Sequence, residues 1–179
     1  MIQEWFDDFN DKAVGSSTST VKVMCRQERD WTCSIGCLRT LLSASMDIVP
    51  SEEELIKNYD VNIGPQNSKD IHDWGLKELE NTDVLYGFKN PIGERCLEDL
   101  TRLLQTYNVM VECMLYNAHW LVVLGYIQLG SPDDDKIILY DPYYNDVRIL
   151  HGAEFIDMWF DTAVEPLHRD YVAIKKRGL

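Results

Sequence analysis

The stretch Gln27-Glu28-Arg29-Asp30-Trp31-Thr32-Cys33-Ser34-Ile35-Gly36-Cys37-Leu38-Arg39-Thr40-Leu41-Leu42 decides how the chain is read. Its first half is polar and irregular. Its second half spaces Ile35, Cys37, Leu38, Leu41 and Leu42 for a buried helix that runs on to Met46. Cys33 stands at the boundary. The first N–H groups of a helix have no intrahelical partner, and the positive end of the macrodipole favours a thiolate there. A nucleophilic cysteine needs that help, because the thiolate is the attacking species. Gln27, six residues earlier, carries a side-chain N–H2 that can donate to a developing oxyanion beside the Cys33 backbone N–H. A cysteine in such a run is more often a small buried hydrophobe, so the decision falls to residues further along.

Before this stretch, Ile2, Trp5, Phe6, Phe9 and Val14 form a helical stripe, Gly15–Thr20 reads as a polar connector, and Val21–Arg26 alternates like a short strand. After it, Ser51 and Glu54 form a capping box that starts a helix, and Ser68–Leu79 is a further helix interrupted by Gly75. The pattern then changes. Val84–Phe88 reads as a strand and Glu94–Gln105 as a helix with Leu97, Leu100, Leu103 and Leu104 on one face. Strands are expected at Val109–Leu115, His119–Ile127, Lys136–Tyr140, Val147–Leu150 and Tyr171–Ile174, with a short helix over Ala153–Phe160. Helices first and an antiparallel sheet second make an α+β domain, a single one over residues 1–179, with 1–20 as an N-terminal helix and linker.

Two of those strands carry the missing partners. His119 opens a strongly apolar strand, and Lys136-Ile-Ile-Leu-Tyr-Asp141-Pro142 ends the next one in an acid before a proline. If the two pair antiparallel about the Gly130–Asp135 turn, the start of one lies beside the end of the other. Asp141 then sits next to His119 and can hold its imidazole in one tautomer. Asn145 and Asp146 are reserve candidates for that position, because strand register is uncertain by a few residues. Trp31 and Trp120 flank these residues, as cleft walls or as core. Both Asp141 and Gln27 are expected on a cleft rather than in the core.

Gln27, then Cys33 after five intervening residues, then His119 before an apolar strand, then Asp141-Pro142, together resemble the papain-like cysteine peptidases. In particular they look like the bacteriocin-leader (double-glycine) peptidases and their free-standing relatives. The resemblance spans about Gln27 to Asp141. It implies a papain-like fold in which the helix bearing Cys33 packs on the C-terminal antiparallel sheet. It also implies Cys33 as nucleophile, His119 as general base, Asp141 as its orienter and Gln27 as oxyanion donor. The implied activity is hydrolysis of a peptide or other amide bond through a thioester. Thr32-Cys33-Ser34 departs from the family's usual Asp-Cys-Gly, and the loop Gln128–Asp135 is longer than usual. Those departures leave a catalytically silent peptide-binding or regulatory module as the alternative, and an acyltransferase would use the same triad.

Composition excludes other classes. The chain has 17 Lys+Arg against 30 Asp+Glu, a net charge of −13 that repels phosphate backbones and anionic lipid, so neither nucleic acid nor membrane is an expected partner. No stretch approaches the roughly 18–20 apolar residues of a membrane helix, and the first residues do not read as a secretory signal. A cytoplasmic location with reduced thiols is therefore expected for the five cysteines. No metal and no cofactor are expected. Cys33 and Cys37 have no second ligand pair at zinc spacing, His72, His151 and His168 have no matching partners, and Asp133–Asp135 lacks the rest of a calcium loop. The acids Glu28, Asp30, Glu112 and Asp133–Asp135 lie near the site in sequence, so the peptide or protein substrate is expected to be basic.

Overall fold

The computed structural model describes residues 13, 15–64, 66–80, 82–87, 89–92, 96–115, 117–159 and 169–178. The helix expected over residues 2–14, Ala13 apart, and His168 lie outside them. Helix α1 (Cys33–Leu42) is buried at every position but Arg39, as its apolar run demands. Helix α2 (Glu52–Tyr59) starts at the expected box: Ser51 accepts the Glu54 N–H, and the Glu54 carboxylate accepts the Ser51 N–H. Helices α3 (Ser68–Glu78), α4 (Cys96–Thr106) and α5 (Gly152–Met158) follow the predicted order.

Among the described residues seven strands form one antiparallel sheet: β1 (Gly15–Thr18), β2 (Val84–Tyr86), β3 (Tyr107–Leu115), β4 (Asn117–Gln128), β5 (Lys136–Asp141), β6 (Asp146–His151) and β7 (Tyr171–Lys175). Its order is β2-β7-β3-β4-β5-β6, with β1 also on β4. Helices cover both faces. Ile35, Leu38 and Leu41 of α1 pack with Trp120, Val122, Leu124 and Tyr140, while Leu97, Leu100 and Leu104 of α4 pack with Leu121, Val123 and Leu139. Burial on both faces explains why β4 reads as a continuous apolar run rather than an alternating one.

Two expectations before Cys33 are corrected. Gly15–Thr20 is no connector, because Gly15–Thr18 pairs with Gly125–Gln128 of β4. β3 pairs with Asn117–Val123 only, so the rest of that buried strand edge needs another partner for its main-chain groups. A polar sequence serves, since the main chain supplies the bonds. Val21–Arg26 is extended but joins no strand. Three of its N–H groups go instead to hydroxyls on α1 and its C-cap: Lys22 and Val23 donate to Ser43 Oγ (3.0 and 3.1 Å) and Cys25 to Thr40 Oγ1 (2.9 Å).

Candidate active site

Four separate segments meet at one end of the β4–β5 hairpin. The first is the start of α1. Thr32 precedes the helix without capping it; its hydroxyl donates to the Arg29 carbonyl (2.9 Å) and accepts the Arg29 N–H (3.2 Å). The first helical bond runs from the Gly36 N–H to Thr32. The N–H groups of the first turn, Cys33's included, therefore keep their field at the Cys33 side chain. Cys33 is 9% exposed.

The second and third segments are the ends of β4 and β5. Val122 lies opposite Tyr140, which places Asp141 level with Leu121 and diagonal to His119. Nε2 of His119 is 2.9 Å from Asp141 Oδ1. The ring's other nitrogen is free of Asp141, and Cys33 is near enough to help raise the imidazole's pKa. Burial works against the imidazolium, but the bond to Asp141 and the influence of Cys33 outweigh it and hold the ring up at about 9. Burial likewise disfavours the Asp141 carboxylate, yet the bond from His119, the Tyr143 N–H (3.0 Å) and the Arg148 guanidinium (3.1 Å to Oδ2) keep its pKa below the ordinary value. Burial pushes Cys25, Cys37 and Cys113 up, and Cys37 donates to the Trp120 carbonyl at 3.2 Å.

The fourth segment holds Gln27. Its backbone N–H donates to the Pro142 carbonyl (3.1 Å), so it is pinned beside the Asp141 turn. Its Nε2 donates to the Arg29 carbonyl (2.8 Å), and its buried Oε1 has no partner among the described residues. Gln27 and Asp141 are 6% and 1% exposed, so both are more enclosed than the cleft position expected for them. Gly36 makes this approach possible: a Cβ there would stand 2.9 Å from Pro142 Cβ and 3.3 Å from the Gln27 N. A glycine inside a helix costs about 1 kcal/mol against alanine. That penalty was the available sign that something packs against the helix at this point.

The reserve candidates lie elsewhere: Asn145, at φ 54°, accepts from Tyr140, and Asp146 accepts the Val147 N–H. Trp120 is core, its indole N–H on the Gln66 carbonyl at 3.1 Å. A hollow of about 280 Å³ opens beside Gln27 between Arg26–Asp30 and the exposed Tyr143 and Tyr144. Arg148, absent from the sequence reading, lies 4.8 Å over the Tyr144 ring while bonding Asp141. Nothing in its spacing marks it, since its partner comes from the neighbouring strand. No group of three or more His, Cys, Asp or Glu side chains suited to a metal occurs among the described residues.

No protein-family profile matches the sequence, and no curated protein is similar enough to it to count as a relative. Solved structures do match. The peptidase domain of Streptococcus ComA, a bi-functional ABC transporter involved in a quorum-sensing pathway, superposes with a TM-score of 0.60 at 13% identity, over 86% of this chain and 97% of that one. UfSP from C. elegans gives 0.59 at 14% identity, over 98% of this chain and 36% of that one. At such identities the likeness carries the fold. The chain has the α+β fold of the papain-like cysteine peptidases.

Proposed function

We propose that the chain is a thiol hydrolase acting on a peptide or other amide bond, with Cys33, His119, Asp141 and Gln27 as its working residues. The observation that carries this reading is His119, with Nε2 on Asp141 at 2.9 Å and the cysteine that opens α1 near enough to act on its ring. His119 takes the Cys33 proton, and the thiolate attacks the carbonyl carbon. The oxyanion forms against the Cys33 backbone N–H and the second N–H of Gln27 Nε2. The imidazolium returns its proton to the leaving nitrogen as the C–N bond breaks, leaving a thioester. Water, deprotonated by His119, then cleaves the C–S bond and releases the acid. Arg148 and the Tyr143 N–H keep Asp141 aimed at His119.

A silent binding module is the second reading, favoured by Thr32 and Ser34 around Cys33 and by the Nε2–Arg29 bond that occupies part of Gln27. Timed iodoacetamide labelling separates the two. An enzyme alkylates at Cys33 well ahead of Cys25, Cys37, Cys96 and Cys113, and Cys33→Ala removes the fast phase. Labelling of Cys33 no faster than an ordinary thiol refutes the hydrolase.

A further inference from the structure

Glu52 is the first residue of α2, and its side chain is entirely buried. Its Oε2 accepts the Glu28 N–H at 2.7 Å, while its Oε1 lies 3.6 Å from Arg29 Nη1 and has no hydrogen-bond partner among the described residues. A buried carboxylate is costly unless paired, and a well-packed apolar residue often serves stability as well or better. The helix N-terminus offsets part of that cost.

What the carboxylate holds is the loop that carries Gln27. Glu28 and Arg29 follow Gln27 directly, and the Arg29 carbonyl is where the loop's bonds converge. It accepts Gln27 Nε2 (2.8 Å), Thr32 Oγ1 (2.9 Å) and the Thr32 N–H (3.2 Å). One carboxylate on α2 thus sets the main chain that aims the Gln27 amide and delivers Thr32 to the start of α1. From this geometry we infer that Glu52 is a positioning residue for carbonyl addition, acting through Gln27 and touching no reacting atom itself. The inference rests on the hydrolase reading above.

Two reagents at the same sulfur separate its failure from the failure of that reading. Iodoacetamide alkylates Cys33 by displacement at carbon, with no oxyanion. p-Nitrophenyl acetate acetylates it by carbonyl addition: the C–S bond forms, the ester C–O bond breaks, p-nitrophenolate leaves, and His119 retains the thiol proton. Glu52→Ala slows the p-nitrophenolate burst by about 10- to 100-fold and leaves alkylation unchanged. Glu52→Gln, which still offers an oxygen to the Glu28 N–H, restores most of the burst. Glu52→Asp keeps the charge but withdraws the acceptor by one methylene; it behaves as the alanine variant does, and replaces it if that variant does not fold. Adding Glu52→Ala to Gln27→Ala produces no further loss, since the two act through one amide. Independent, multiplying losses in that double variant overturn the inference, as does equal slowing of both reagents or an unaffected burst in Glu52→Ala and Glu52→Asp. Wild-type Cys33 inert to both reagents overturns the hydrolase reading and this inference with it.

Discussion

Two buried aspartates bracket β5, one at each end. Asp135 is 4% exposed and Asp141 1%. Asp135 takes its bonds from the Tyr126 hydroxyl and from the N–H groups of Leu129 (2.7 Å) and Gly130 (3.2 Å). Asp141 takes its bonds from His119, Arg148 and the Tyr143 N–H. Burial and residue type are the same, and the partners differ. Neutral donors close a turn around Asp135, whereas Asp141 faces an imidazole that can gain or lose a proton. On the proposed reading the partners, more than the burial, make Asp141 the chemical acid and Asp135 the architectural one.

The contrast breaks most sharply at its functional end. His119→Ala is expected to lower the p-nitrophenyl acetate burst by about 100- to 10,000-fold, the usual worth of a general base. Asp141→Ala follows in the same assay with a smaller loss. Asp135→Ala runs the other way: the burst stays and stability falls by about 1–3 kcal/mol, from hydrogen-bonding groups left buried and unpaired, as read by urea unfolding. A large burst defect in Asp135→Ala would erase the distinction.

Gly36→Ala tests how closely the functional corner is fitted. The added methyl has to displace Pro142, at a cost of about 1–3 kcal/mol for overpacking, against about 1 kcal/mol gained in helix propensity. A modest fall in melting temperature with a disproportionate loss of burst rate is expected, because Pro142 adjoins Asp141 and holds Gln27.

The pH dependence sharpens the comparison further. His119 is raised from 6.5 to about 9, so its contribution to stability is complete below about pH 6.5 and is lost as pH rises through 9. Asp141 is lowered, so its share is present above the ordinary carboxylate range and lost in acid. Melting curves of wild type and Asp141→Ala should therefore differ most between these limits, converge in acid, and draw closer without meeting above pH 9, where the Arg148 and Tyr143 bonds to Asp141 remain.

The smallest effect concerns substrate charge. Glu28 pairs with Arg39 at 3.3 Å, and the Asp133–Asp135 turn lies at the far end of the hairpin from His119. The proposed preference for a basic peptide then draws on the net charge of −13, with Asp30 the acid beside the hollow that no ion pair takes up among the described residues. Screening shortens from about 8 Å at physiological salt to about 3 Å at 1 M. Turnover of a basic peptide should fall only slightly more with salt than that of a neutral one, and a steep difference would place strong negative potential in the site itself.

Much of this was legible in the residues. Cys33 at the start of an apolar helix, the Ser51–Glu54 box and Asp141 before Pro142 are local signals, and the helix and strand order followed from periodicity. Other features were written across the chain. β1 is held by main-chain bonds that leave no mark on Gly-Ser-Ser-Thr. Val21–Arg26 alternates as a strand does, but three of its N–H groups found hydroxyls on α1 and its C-cap. Arg148 and Glu52 look like ordinary surface charges until the segment opposite each is known.

The shared edge of β4 also has a consequence for the order in which this protein can be completed during synthesis. Gly15 leaves the ribosome more than a hundred residues before Gln128, its partner across the sheet. The Lys176 ammonium, which donates to the Thr18 carbonyl at 2.6 Å, follows 158 residues after it. The earliest described strand therefore waits, unpaired, for more than a hundred further residues, and contacts of such separation are slow to form. Its composition suits the wait: a short polar segment offers little for premature strand pairing or aggregation.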